Sequence, residues 1–433
     1  MALGGGSFTN YNKVMPGTYI NFVSSAGVSS QVGDRGICAV AMELDWGIED
    51  EIFPVAANEF MTGSMKIFGH AYTDDALNPL KDVFMNASLV YVYRLGNGVK
   101  AANDYAMAKY AGARGNTIKI KIAKNIDDEE YFDVTTYVNG SKRDVQKVLS
   151  AQELKDNDFV VWKKDKALAA AVAEMTGGSN AVVTGEDYQK FLDAAESVRF
   201  NTLAVATNDE NVNSLVAAYT KRMREEKGIK FQSVLYNCPF DDMGVINVDT
   251  ASAGVGKEEA NLVWFVAGAA AGCPINKSLT NRIYNGNFKV KSTYSESQLE
   301  EGIKAGKFIL HKVDDEYRVL SDINSLVTTT SETGEVFKEN QTVRIVDQIA
   351  YDDAKLFKSK YLGVVPNDEA GRLSLWNDIV EHRKTLQKMR AIENFKDELV
   401  TVEKGNSKTS VVITGAICPV NSMTQLYITT TLE

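Results

Sequence analysis

The sequence predicts a multidomain chain of mixed class, α/β over its first two-thirds and α+β over its last third, with a small β block inserted into the α/β part. Three observations carry this. At 433 residues the chain is too long for one ordinary core, so two to four domains are expected. From Gly36 to Tyr93, and again over 176–290, short apolar runs alternate with amphipathic stretches at helical spacing, the pattern of a parallel sheet with crossover helices. Between 100 and 175 the period changes to two.

Taken in order, residues 1–30 do not read as a compact unit: Gly4-Gly5-Gly6 is flexible and Pro16-Gly17 is a turn signal. Thr18 to Ser24 then reads as one strand, with Ile20 and Phe22 on one face and Tyr19, Asn21 and Val23 on the other. The first part of the α/β core (31–99) contributes a strand at Ile37 to Met42, a helix at Pro79 to Asn86 and an apolar strand at Leu89 to Tyr93. The inserted domain (100–175) opens on the strict alternation Thr117-Ile118-Lys119-Ile120-Lys121-Ile122 and continues with Phe132 to Val138 and Phe159 to Trp162. Asn139-Gly140 is a hairpin signal, because both residues tolerate positive φ.

The core resumes over 176–289. Thr184-x-x-Asp187 is a capping box ahead of Tyr188, Phe191, Leu192 and Ala195 at helical spacing. Leu203 to Ala206 is a strand, Val212, Leu215, Val216, Tyr219 and Met223 mark an amphipathic helix, and Phe231 to Tyr236 is the next strand. The run Leu262 to Cys273, rich in Ala and Gly, falls short of the roughly 20 residues of a membrane span and reads as a tightly packed buried helix. The final domain (290–433) starts with a capping box, Ser295-x-x-Gln298, and a hairpin of Phe308 to Val313 with Tyr317 to Leu320. A helix with Val343, Val346, Ala350, Phe357 and Tyr361 as its stripe follows, then a helix from about Asp368 to Ile392. Two closing strands, Val411 to Ile417 and Leu426 to Leu432, form an arm over 410–433.

Composition narrows the chemistry. A net charge of −10 repels phosphate backbones, so no bulk nucleic-acid partner is expected, and no segment suits direct membrane insertion. No secretory leader is read in the Gly- and Ser-rich start. Cys38, Cys238, Cys273 and Cys418 include no close pair and read as reduced, implying assembly in a reducing cytoplasm. The three histidines, His70, His311 and His382, lie in no metal or catalytic pattern and read as structural or surface. Gly254-Val255-Gly256-Lys257 imitates a phosphate loop, but Ala251 holds the first glycine position and Glu258 follows the lysine, where a carboxylate repels phosphate. Asp127-Asp128-Glu129-Glu130 lacks the spacing of a calcium loop. No catalytic residue, cofactor or metal is expected.

Two features point toward assembly. Apolar edge-type strands near both ends are an aggregation hazard unless a partner pairs with them; alternatively both complete the chain's own sheet, and the pattern leaves the two readings even. The candidate strand-arm residues are Thr18, Tyr19, Ile20 and Phe22, then Val411, Ile413, Ile417, Leu426, Tyr427, Ile428 and Leu432. In the last long helix, Arg383, Lys384, Gln387, Lys388 and Arg390 cover a broad face free of acids, a candidate contact to an acidic partner surface or else a solvated basic face.

The residues also resemble a known family. Asp34-Arg35-Gly36-Ile37 leading to Leu44-Asp45-Trp46-Gly47, Ala108 through Asn116, Lys221 through Gly228, Ala267-Gly268-Ala269 with Asn276-Lys277-Ser278-Leu279-Thr280, Lys304 through Phe308, Asp322-Ile323-Asn324-Ser325-Leu326, Val365 through Arg372, and Pro419-Val420 with Met423, Leu426 and Tyr427 together resemble the tail sheath proteins of contractile phages, defective prophages and R-type bacteriocins. Where the family often has Pro, this chain has Ala111. The resemblance implies a subtilisin-like α/β middle domain without a protease site, a β-sandwich insertion, and terminal arms that pair with a neighbour's C-terminal domain. It implies hexameric rings stacked as a sheath around a tail tube, with baseplate and tail-terminator proteins as further partners, in a released virion tail or bacteriocin particle. The basic helix becomes the candidate tube contact. A secretion-system sheath component and, from another class, an α/β hydrolase-like enzyme are the alternatives.

Overall fold

The computed structural model describes residues 33–432. The strand expected at Thr18, Tyr19, Ile20 and Phe22 lies outside them. Two compact units divide the described residues, a larger one holding 34–347 and 419–432 and a smaller one holding 348–418 with Gly33. The larger unit thus takes in residues 290–347.

The larger unit starts with β1 (Ile37–Met42), β2 (Ile52–Ala56), α1 (Ala57–Phe68), α2 (Asn78–Phe84) and β3 (Leu89–Arg94). β2 and α1 were not expected. Pro54 interrupts the apolar pattern, and α1 has no side-chain cap at its start. A proline in a strand belongs at a sheet edge, and β2 is the edge strand. The insertion follows with β4 (Ala106–Ala108), β5 (Ile118–Lys124), β6 (Phe132–Val138), β7 (Ser141–Val148), β8 (Val160–Trp162) and β9 (Ala171–Glu174). Four of its strands pair antiparallel in the order β7-β6-β5-β9, while β4 pairs with β8. Ile118, Ile120 and Ile122 enter a core shared with Trp46, Phe159 and Trp162, as the alternation requires. The Asn139-Gly140 turn has φ of 49° and 75°, the primed geometry that suits strand twist.

The core continues with α3 (Gly185–Ala195), β10 (Thr202–Val205), α4 (Glu210–Glu225), β11 (Gln232–Tyr236), β12 (Val245–Val248), β13 (Ala251–Ser252), α5 (Leu262–Gly272), β14 (Val290–Lys291), α6 (Glu296–Lys304), β15 (Lys307–Phe308), β16 (Leu310–Val313) and β17 (Glu316–Val319). Seven strands form one sheet, β15-β12-β11-β10-β1-β3-β2, parallel except for β2. β1 shows why: its residues are apolar throughout, with Cys38, Val40 and Met42 packing on one face and Ala39 and Ala41 on the other. α1, α2 and α5 cover the first face, and α3 and α4 the second. Both expected capping boxes form, at Thr184 with Asp187 and at Ser295 with Gln298. The run Phe308 to Val313 is not one strand: Lys307–Phe308 joins the large sheet beside β12, and Leu310–Val313 makes the hairpin with β17.

α7 (Asn340–Leu356) holds the boundary between units, and its stripe differs from the expected one. Val346 and Ala350 are half-buried and Phe357 is exposed, while Thr342, Arg344, Asp347, Gln348 and Asp352 are buried. Val343 and Tyr361 are buried as expected, with Ile345 and Leu356 beside them, but the polar side chains buried on the same helix need partners that hydropathy cannot foresee. In the smaller unit the chain turns through a π-helical segment, Phe357–Tyr361, into α8 (Glu369–Lys388), β18 (Ile392–Glu393), β19 (Val400–Lys404) and β20 (Val411–Gly415). Leu375, Ile379 and Leu386 pack inward, and Trp376 Nε1 donates to Val400 O at 2.8 Å.

Candidate assembly site at the roots of the two ends

Around α7 the larger unit builds a polar knot from segments distant in sequence. Asp322 is fully buried and accepts from Arg344 Nη2 at 2.6 Å, Leu279 N at 2.9 Å and Asn340 Nδ2 at 3.0 Å. Burial alone pushes this carboxyl up, but the Arg344 charge and these donors hold it below the usual carboxylate range. Beside it, Arg35 caps the last carbonyls of α5, donating to Ala270 O and Cys273 O at 3.3 and 3.2 Å. Desolvation, helped by Arg344, lowers the Arg35 guanidinium to about 10. Arg224 forms a second buried fork on Asp347, with distances of 2.6 and 2.8 Å.

From this knot one segment leaves. Gln341 Nε2 donates to Val420 O at 3.0 Å, Ser422 N donates to Gln341 Oε1 at 2.9 Å, and Thr342 Oγ1 donates to Asn421 Oδ1 at 3.1 Å. Beyond Ser422 the chain has no regular structure, and Leu426, Ile428 and Leu432 are 82%, 75% and 92% exposed. The strand expected at Leu426, Tyr427, Ile428 and Leu432 is therefore absent in the isolated subunit. A lone extended segment cannot satisfy its own backbone groups, and no strand edge among the described residues meets it.

The smaller unit anchors the other end. Gly33 N donates to both oxygens of Asp352 at 3.2 and 3.3 Å, and the same carboxylate accepts from His382 Nε2 at 3.0 Å. Val411 and Ile413 lie on β20, which pairs antiparallel with β19 of the same chain; Ile417 lies beyond the strand. The hairpin has two strands and no more, so its outer edges stay open among the described residues. A cleft of about 560 Å³ runs beside β20, lined by Tyr361, Leu362, Val364, Leu375 and Val411, and a second lies along β19 against Leu373 and Trp376.

The basic face of α8 is smaller than the sequence suggests. Arg383 is buried, forks onto Asp353 at 2.9 and 2.5 Å and donates to His382 Nδ1 at 2.6 Å. Lys384 pairs with Asp397 at 2.7 Å, and Gln387 Oε1 accepts from Phe395 N at 2.7 Å. Lys388 and Arg390 remain exposed, with no ion pair among the described residues. A helical wheel cannot see Asp353 and Asp397, which come from other segments.

Among the described residues no arrangement suited to catalysis stands out. A cavity of about 450 Å³ lies beyond the carboxyl ends of β1 and β3, lined by Glu43, Asp45, His70, Tyr188 and Lys257. There His70 Nε2 lies 2.8 Å from Asp45, and Lys257 pairs with Glu43 at 2.5 Å, so the lysine of the phosphate-loop look-alike is neutralised. Among the described residues no histidine hydrogen-bonds a serine, threonine or cysteine, and no group of three His, Cys, Asp or Glu side chains could hold a metal ion. No helix there is long and apolar enough to cross a membrane.

Sequence reasoning missed Gln341, Thr342 and Asp352 altogether. Asp322 stood within a quoted motif, without a role.

Comparisons with known proteins agree with one another. Three family models match consecutive stretches: the phage tail sheath protein beta-sandwich domain at residues 96–185, the phage tail sheath protein central domain at 181–325, and the phage tail sheath C-terminal domain at 332–433. The phage-like element PBSX protein XkdK of Bacillus subtilis is 32% identical, over 98% of this chain and 99% of that protein. The crystal structure of a sheath tail protein from Desulfitobacterium hafniense superposes with a TM-score of 0.83 at 32% identity, covering 95% of this chain and 99% of that one. The contracted helical sheath of the anti-feeding prophage shares the fold at a TM-score of 0.59 and 13% identity, covering 97% and 100%. With relatives this similar over nearly their whole length, and three consecutive domains matched, the chain belongs to the phage tail sheath protein family.

Proposed function

We propose that the chain is the structural subunit of a contractile tail sheath, polymerising with copies of itself as stacked hexameric rings around a tail tube and shortening to drive that tube through an envelope. One observation carries the reading: a segment rich in large apolar side chains, 423–432, leaves the folded subunit with no strand partner among the described residues, while the β19–β20 hairpin offers edges that are open among those residues, one of them beside a largely apolar cleft. Strand addition between copies satisfies both at once, and because the contact is head-to-tail it propagates. Residues 1–30, with the expected strand at Thr18 to Ser24, act as the second arm. Contraction then needs no cofactor, since the stored energy lies in two packings of the same subunits, and each subunit moves as rigid bodies. The α/β frame serves as scaffold in the subtilisin-like manner, without its chemistry. Lys388 and Arg390 form what remains of the tube contact.

The test is removal of residues 423–433, and separately of 1–24. Each truncated chain should keep its circular dichroism spectrum and remain unable to form sheath-like tubes. Tubes of normal length from the chain lacking 423–433 refute strand exchange by that segment, and tubes of normal length from the chain lacking 1–24 refute the second arm.

A further inference from the structure

We infer that Gln341 is a positioning residue that sets the strand phase of the 423–432 segment, and so which face of it a neighbouring copy receives. This rests on the strand-exchange reading above. The Gln341 side chain is almost wholly buried on α7, and its amide donates to Val420 O and accepts from Ser422 N. Those two groups flank Asn421. In a parallel β-bridge one residue uses its N–H and C=O in this way on the residues either side of its partner. The Gln341 amide therefore imitates one residue of an adjacent strand, and Thr342 Oγ1 fixes Asn421 itself from the next position on α7. The segment leaves the knot already extended, already in phase and fixed at three points, although no strand among the described residues pairs with it further on.

Phase matters because side chains alternate. Counting from Asn421, Leu426, Ile428 and Leu432 share one face and Tyr427, Thr429 and Thr431 the other. A strand added to an open edge finds backbone partners equally well after a slip of one residue, yet the slip exchanges the two faces. From Ser422 to Leu426 the chain spans about 13 Å when extended, too short to lose the phase set at its root.

The experiment uses the full-length chain and measures the critical concentration for tube formation by pelleting and electron microscopy. One threonine is inserted between Ser422 and Met423, or two. One residue turns the apolar face outward and should raise the critical concentration at least about tenfold, from the value of burying three large aliphatic side chains. Two residues restore the faces and should return it to within about threefold. In Gln341→Met, which keeps the side-chain volume but neither hydrogen bond to the segment and also loses the longer one to Ile275 O, the gap between one and two inserted residues should close, because the root slides. Equal behaviour of the two insertions with Gln341 intact overturns the inference, as does a full gap in Gln341→Met. The insertions leave the core untouched, so their comparison stands even if Gln341→Met does not fold. Removal of 423–433 separates the layers: tubes from that truncation sink strand exchange itself, whereas its loss of tubes with equal insertions sinks the phase-setting role alone.

Discussion

Asp322→Asn should be among the most damaging isosteric changes in the chain. The carboxylate is fully buried and accepts from Leu279 N, Asn340 Nδ2 and Arg344 Nη2, with Ser278 Oγ at 3.4 Å. An asparagine has one acceptor oxygen, so its NH₂ must face one of these donors whichever way it turns. Asn340 cannot turn to receive it cheaply, since its Oδ1 already accepts from Gln232 Nε2 and its Nδ2 also serves Ile323 O. Arg344 is left a buried cation without its counter-ion, and its Nε and Nη1 already lack partners among the described residues. Removing one member of such a pair costs about 3–5 kcal/mol, a large part of a typical folding free energy of about 5–15 kcal/mol. Urea unfolding followed by circular dichroism under monomeric conditions should show the midpoint falling by about 1 M. Adding Arg344→Met should recover part of the loss, because no unpaired charge is then buried. The folded Asp322 pKa is depressed, so its stabilisation is present above the unfolded carboxylate pKa of about 3.9 and is lost as pH falls through the lower folded value. Wild type should therefore weaken below about pH 4 more steeply than the variant. A loss under about 1 kcal/mol for Asp322→Asn, with no coupling to Arg344, refutes the reasoning.

Three further outcomes follow from the geometry. Gly268→Ala should cost about 2–3 kcal/mol in the same urea assay, because a Cβ there runs into Val83 O on α2, a backbone atom that cannot swing aside. Arg383→Ala should lower stability by about 3 kcal/mol, while Lys388→Glu with Arg390→Glu should leave the midpoint unchanged and weaken co-sedimentation with the tube protein in low salt. In the folded chain a thiol reagent should label Cys418 alone, since Cys38, Cys238 and Cys273 are buried and burial pushes Cys38 to about 12 and Cys238 to about 11.

Elements that owe their form to local pattern were legible before any coordinates. β1 and the two capping boxes stand where the sequence put them, and the buried helix does so to within a residue. What escaped reading was settled by partners far along the chain. α7 looked like an ordinary amphipathic helix because Arg344, Asp347 and Asp352 count as surface residues until Asp322, Arg224 and His382 are brought beside them. Arg383 and Lys384 looked free for the same reason. Pro54 hid β2, an edge strand whose proline a sheet tolerates only at that position. The segment ending at Leu432 has strand character without a strand, since β-propensity describes a fit to neighbours that the isolated subunit does not supply.

α5 carries no polar stripe, and its glycines at 268 and 272 let the backbone carbonyls of Val83 and Asn86 lie directly against it. Such a rod has no second environment in which it would be equally comfortable: rotating or sliding it would drag apolar surface into water and open voids on every side. The larger unit therefore carries, at α5, a block that resists deformation.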